Sequence, residues 1–201
     1  MDKAAILRKI IEDNNGIAKT SDFVANGFEV YEVATFCKKG VIKRIRKGFY
    51  QLPQEEDMPQ ELLIQELLPQ GIVCMESALF HYGYSDIVPD EWSLAVPRTA
   101  TRVVSNIVEF PIKGFYIRPE FLEIGKTTDN FNGVILPIYD RERTICDCIK
   151  YRKRLDEELF DNAMKAYIDD KDKNLERLTE YAQEMKLYPK VMGVMEDLLK
   201  G

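Results

Sequence analysis

Apolar positions recur with helical spacing over residues 2–13, where Ala5, Ile6 and Ile10 line one face with Leu7 and Ile11 beside them. Asn14-Asn15-Gly16 ends that segment with turn and C-cap residues. Thr20 and Ser21 supply an N-cap for a brief helix through Val24 and Ala25, and Asn26-Gly27 breaks it. The spacing predicts a third helix over residues 30–39. Val30, Val33, Ala34 and Cys37 face inward, and Tyr31, Glu32, Thr35, Lys38 and Lys39 occupy the opposite face. After Gly40, residues 42–45 and 49–52 read as two short strands joined by Arg46-Lys47-Gly48. Helix, short helix, turn, helix and β-hairpin is the order of a winged helix-turn-helix.

Beyond it, residues 53–59 (Pro-Gln-Glu-Glu-Asp-Met-Pro) read as an acidic linker. Residues 59–68 form an amphipathic helix stopped by Pro69-Gln70-Gly71, followed by a strand over 72–75 and a helix over 76–82. Further strands are expected over 92–96, 106–112, 115–118 and 134–138. Helices return over 140–152, 157–169, 175–185 and 188–199. The fold class is therefore α+β: a winged helix-turn-helix domain over residues 1–53, then a mixed α/β domain over 54–201 with a helical C-terminal tail.

Charge separates the two parts. The chain of 201 residues has a formal net charge of −6, yet residues 1–52 hold ten Lys or Arg against six Asp or Glu. Six of the ten residues from Lys38 to Lys47 are Lys or Arg. Solubility alone would not concentrate cations there on an acidic protein, whereas phosphate backbones reward it, because each neutralised phosphate releases counterions. No run approaches the roughly 18 apolar residues of a membrane span. The N-terminus lacks a secretory h-region, so a cytoplasmic protein with no membrane partner is expected.

In a helix-turn-helix the second helix enters the major groove. Tyr31, Thr35 and Lys38 would then meet base edges. Glu32 either accepts from a cytosine amine or supports the helix N-terminus. Lys39, Lys43, Arg44, Arg46 and Lys47 would take backbone phosphates, and Tyr50 is a further candidate contact. Double-stranded DNA is the expected partner, and the residues specify no oligomeric state.

Little points to catalysis or to a cofactor. The single histidine, His81, sits on an amphipathic helix with no partner that spacing can identify, and its expected role is structural. Gly125-Lys126-Thr127-Thr128 lacks the earlier glycine of a P-loop. Asp140, Glu142 and Asp147 read better as a helix cap, a first-turn acid and the i+4 partner of Arg143 than as a metal cluster. Cys146-x-Cys148 has the wrong spacing for zinc, and Cys37, Cys74, Cys146 and Cys148 are expected to be free thiols, largely buried. No metal or cofactor is expected, and the chain is not expected to be an enzyme.

The run from Lys38 to Tyr50, followed by Leu52-Pro53, resembles the hairpin of the AbiE-type antitoxins of type IV toxin–antitoxin systems. Ser77-Ala78-Leu79 with His81-Tyr82-Gly83, Ser93 through Pro97-Arg98, and Asp140-Arg141-Glu142-Arg143-Thr144 through Asp147 are similar to later segments of that family, in the same order. The resemblance implies a transcriptional repressor in phage defence that binds its own operator DNA. It also implies a C-terminal domain linked to neutralising a nucleotidyltransferase-like toxin encoded nearby. A winged helix used only for protein interaction, or an orphan regulator without a toxin, is the alternative.

Overall fold

The structure, a computed structural model, describes residues 2–53 and 58–200. The chain divides into two compact units, Met1–Glu66 and Leu67–Gly201. The acidic linker expected over 53–59 falls largely on residues 54–57, outside the described residues. The division between these compact units lies within a helix. Within the first unit, that helix's Glu66 meets Lys19 at 3.7 Å near the helix's end.

The first unit runs α1 (Lys3–Asp13), β1 (Ala18–Lys19), α2 (Thr20–Ala25), α3 (Val30–Lys38), β2 (Lys43–Arg46), β3 (Phe49–Gln51) and then α4 (Gln60–Leu67), which crosses into the second unit. Asp2 caps α1 by accepting from Ala4 N–H, and α1 buries Leu7, Ile10 and Ile11. The expected Thr20–Ser21 cap of α2 is replaced by Asp22, whose carboxylate accepts from Lys19 N–H at 2.7 Å. The strands form an antiparallel sheet in the order β1-β3-β2. The tight turn between β2 and β3 depends on Gly48, whose φ of 87° lies in the left-handed region. Phe23, Phe28, Val33, Ile42 and Tyr50 close the core beneath the helices. This is a winged helix-turn-helix.

The second unit is built on a five-stranded mixed sheet in the order β6-β5-β4-β8-β7. Its strands are β4 (Ile72–Val73), β5 (Trp92–Pro97), β6 (Ile112–Ile117), β7 (Lys126–Phe131) and β8 (Val134–Tyr139). Between them lie α5 (Met75–His81), α6 (Thr101–Ser105) and α7 (Pro119–Leu122), and the chain closes with α8 (Arg141–Lys150), α9 (Glu157–Asp169), α10 (Leu175–Glu184) and α11 (Tyr188–Lys200). The helical C-terminal part is as the periodicity predicts. The strand expected over 106–112 is absent: Val108 is exposed, and the pairing stretch begins only after Pro111, at Ile112. In its place, after α6 ends at Ser105, the chain runs through a turn and bends.

Strand β7 was not anticipated, because Lys-Thr-Thr-Asp-Asn carries no apolar alternation. Its signal lies in the turn instead. Asn132 (φ 51°) and Gly133 (φ 90°) make the two-residue hairpin turn that joins it to β8.

Helix α8 is buried along nearly its whole length, from Glu142 through Ile149. The loop before β7 passes so close to it that a Cβ at Gly125 would collide with Arg143 Cβ and stand 3.0 Å from Asp140 Oδ1. Gly125 also holds φ at 69°. Gly125→Ala is therefore expected to destabilise the second unit by on the order of 3 kcal/mol, from left-handed strain and overpacking together. Thermal denaturation of the variant checks this.

Candidate nucleic-acid interface

Helix α3 is fixed in place by a narrow apolar stripe. Val33 is fully buried, with Phe36 and Cys37 packed partly against the same cluster. Phe28 meets Phe36 edge to face at 6.3 Å. Two positions expected to face inward do not. Val30 is 60% exposed and Ala34 is exposed, while Phe36 takes the inward place. Val30 is the first helical residue, so its side chain lies over the turn before the helix and not over the core. Ala34 falls 100° around the helix from Val33.

At about 100° per residue, Val30, Ala34, Lys38, Tyr31 and Thr35 fall in that order across an arc of about 140°. All five are exposed, Tyr31 by 69%. Thr35 donates its hydroxyl to the Tyr31 carbonyl at 2.8 Å, so its methyl is the group left to face outward. Glu32 is committed to the fold. It accepts from Glu29 N–H at 3.0 Å and pairs with the Lys3 ammonium, and these contacts hold its carboxyl below the usual carboxylate range. Of the two roles the sequence leaves open for Glu32, support of the helix N-terminus is the one observed.

The cations of the strip differ in their surroundings. Lys39, Lys43, Arg44 and Lys47 are exposed, Lys39 just past the end of α3 and the others on the hairpin. Arg44 Nε donates to the Arg46 carbonyl at 3.3 Å, bracing the bulge between Arg44 and Arg46. Arg46 is half-buried, with its guanidinium 4.4 Å over the Phe49 ring, and the Lys19 ammonium stands 5.8 Å from the same ring. Tyr50 requires a correction. Its side chain is buried, only 8% exposed, and packs edge to face on Phe23 at 5.8 Å, because the inward register of β3 sends it into the core. It belongs to the packing of the unit and not to its surface.

Residues 6–53, which span α1 through β3, match the family model of transcriptional regulators described as AbiEi antitoxins. Over those residues the chain is similar to AbiEi-type regulators. The crystal structure of the RV2827C protein from Mycobacterium tuberculosis is similar over 92% of this chain and 76% of that one, with a TM-score of 0.57 at 14% identity. At that identity the likeness shows the fold alone. No curated protein matches the chain.

The second unit uses its polar side chains to hold itself together. Asp140 accepts from Arg143 N–H at 2.9 Å, capping α8, and from the Tyr181 hydroxyl at 3.0 Å. Glu142 accepts from Asn174 N–H at 2.8 Å. Arg143 and Asp147 pair at 3.0 Å with both side chains buried. The three acids thus take the structural roles their spacing suggests. Among the described residues no group of three or more His, Cys, Asp or Glu side chains is placed to hold a metal ion.

His81 Nε2 lies 2.9 Å from Asp129 Oδ2, and its ring stacks on Phe131 at 4.2 Å, joining α5 to β7. Cys74, Cys146 and Cys148 are buried free thiols, and burial pushes Cys146 up to about 12. Among the described residues no helix is long and apolar enough to cross a membrane.

Proposed function

We propose that this chain is a sequence-specific repressor that binds double-stranded operator DNA upstream of its own gene and serves as the antitoxin of a type IV toxin–antitoxin operon in phage defence. On this reading α3 enters the major groove with Tyr31, Thr35 and Lys38 toward base edges. Lys39, Lys43, Arg44 and Lys47 take phosphates on either side. Arg46 is assigned a mixed role, packing on Phe49 while adding positive charge to the wing. The protein works without catalysis or cofactor, in the cytoplasm. Its second unit is the part linked to a nucleotidyltransferase-like toxin encoded nearby.

One observation carries the reading: an exposed, chemically varied face of α3 is followed directly by exposed cations on a wing, within a segment that matches AbiEi regulators. The fully engaged Glu32 supports it, since it leaves no unpaired carboxylate on α3 to repel phosphate.

Fluorescence anisotropy against the upstream region, repeated across salt concentrations, is the test. Four phosphate contacts predict a slope of log affinity against log salt near −3.6, about a 150-fold loss between 50 and 200 mM salt. A flat salt response would remove the DNA-binding reading and favour a protein partner for the winged helix.

A further inference from the structure

We propose that α3 reads thymine by its C5-methyl group, through Val30, Ala34 and the γ-methyl of Thr35, so that the operator carries A·T pairs two steps apart at the centre of each contact. The inference rests on the DNA-binding reading above and specifies what that face recognises.

The argument is one of elimination on a single helix face. A base edge in the major groove offers hydrogen-bond donors, acceptors or, for thymine alone among the four bases, a methyl group. Arg, Asn and Gln are absent from positions 30, 31, 34, 35 and 38, which leaves Lys38, at one position of the arc, as its reader of guanine. Glu32, the residue that would accept from cytosine, has its carboxylate taken by Glu29 N–H and Lys3. Thr35 has turned its hydroxyl back onto the Tyr31 carbonyl, which exposes carbon in place of a hydrogen-bonding group.

What remains on the arc is Val30, Ala34 and the Thr35 methyl, with Tyr31 and Lys38 as the polar groups. An exposed valine at the first position of a helix gains nothing from water, and covering an apolar partner gives it a purpose. Val30 and Ala34 lie one turn apart, about 6 Å along the axis, which is close to two base-pair steps. The two side chains can therefore address pairs two steps apart without bending the helix. Such apolar contact with the thymine methyl is an established kind of direct readout.

The test uses the full chain and a duplex enriched by it from a random-sequence library. Affinity is measured by anisotropy for that duplex and for the same duplex with uracil in place of thymine, which deletes only the methyl. Each covered methyl predicts about 4-fold weaker binding in the uracil form. In Val30→Ala, the thymine-over-uracil advantage should shrink at one pair only and the salt slope should not change.

Equal affinity for the thymine and uracil duplexes, with sequence-specific binding retained, overturns the methyl reading and leaves the DNA-binding proposal standing. The same holds if uracil weakens the wild type, Val30→Ala and Thr35→Ser equally at every pair, since the effect then lies in the DNA. Failure to enrich any duplex overturns both.

Discussion

Arg143→Ala is expected to lower the stability of the second unit by about 3–5 kcal/mol, the range for removing one partner of a buried ion pair. Arg143 is fully buried and serves three groups at once. Nε donates to Asp147 Oδ2 at 3.0 Å, and Nη1 donates to the carbonyls of Phe121 at 2.6 Å and Ile124 at 2.7 Å. Its guanidinium also lies 4.0 Å over the Tyr139 ring. Alanine leaves a carboxylate and two carbonyls without donors in the centre of the fold. The melting temperature should fall by about 10 °C or more.

The pH dependence follows from Asp147. Burial pushes its carboxyl up, and Arg143 is the main force opposing that rise, with a smaller contribution from Lys150. Without Arg143 the folded-state value climbs further above the ordinary 3.8. The folded variant then holds a proton that the unfolded chain releases. Its stability is therefore greatest at low pH and is lost as pH rises from about 4. The deficit of Arg143→Ala should be larger at pH 8 than at pH 5. Pairing Arg143→Met with Asp147→Leu should recover much of the loss, since it removes both charges and keeps apolar volume. Melting curves of the single and double variants across pH decide the matter, and a single variant indifferent to pH would exclude a buried charged pair.

The second large effect concerns the wing. Lys43→Ala, Arg44→Ala and Lys47→Ala combined should weaken operator binding by about 500-fold at 0.1 M salt and flatten the salt slope by about 2.7, the contribution of three phosphates. These side chains are exposed, and the Arg44–Arg46 contact that the variant loses lies at the surface, so melting should change little from the wild type. Arg46→Ala should behave differently. Losing the stack on Phe49 lowers the stability of the hairpin, while binding falls only by the share of one charge. Anisotropy and melting measured on the same samples separate the two. Undiminished binding by the triple variant would mean the wing does not touch phosphate.

Much of the first unit was legible because its signals are local. Val33 and Cys37 mark the inward stripe of α3, Gly40 and Gly48 mark the ends of helix and turn, and the cations stand out against the acidic chain. What periodicity misplaces is what depends on neighbours. Val30 satisfies the helical spacing yet lies past the core, and Tyr50 is equally plausible at a surface or inside until the pairing of β3 with β1 and β2 sets its side. In the second unit the Arg143–Asp147 spacing is visible in the sequence, but its complete burial comes from the sheet, from α10 and from the Phe121–Gly125 loop closing over it. The polar strand β7 escapes the apolar pattern because pairing with β8, and not burial, holds it in place.

That same strand ends the sheet, and its make-up governs how the molecule behaves in a crowd. A terminal strand offers a free row of backbone groups onto which another chain could polymerise. Here the row runs through Lys126, Thr127, Thr128, Asp129 and Asn130, all exposed, with a positive charge near one end and a negative charge, fastened by His81, further along. An incoming strand would have to strip water from these groups with no apolar surface gained in exchange. Filament growth from this border is thereby discouraged.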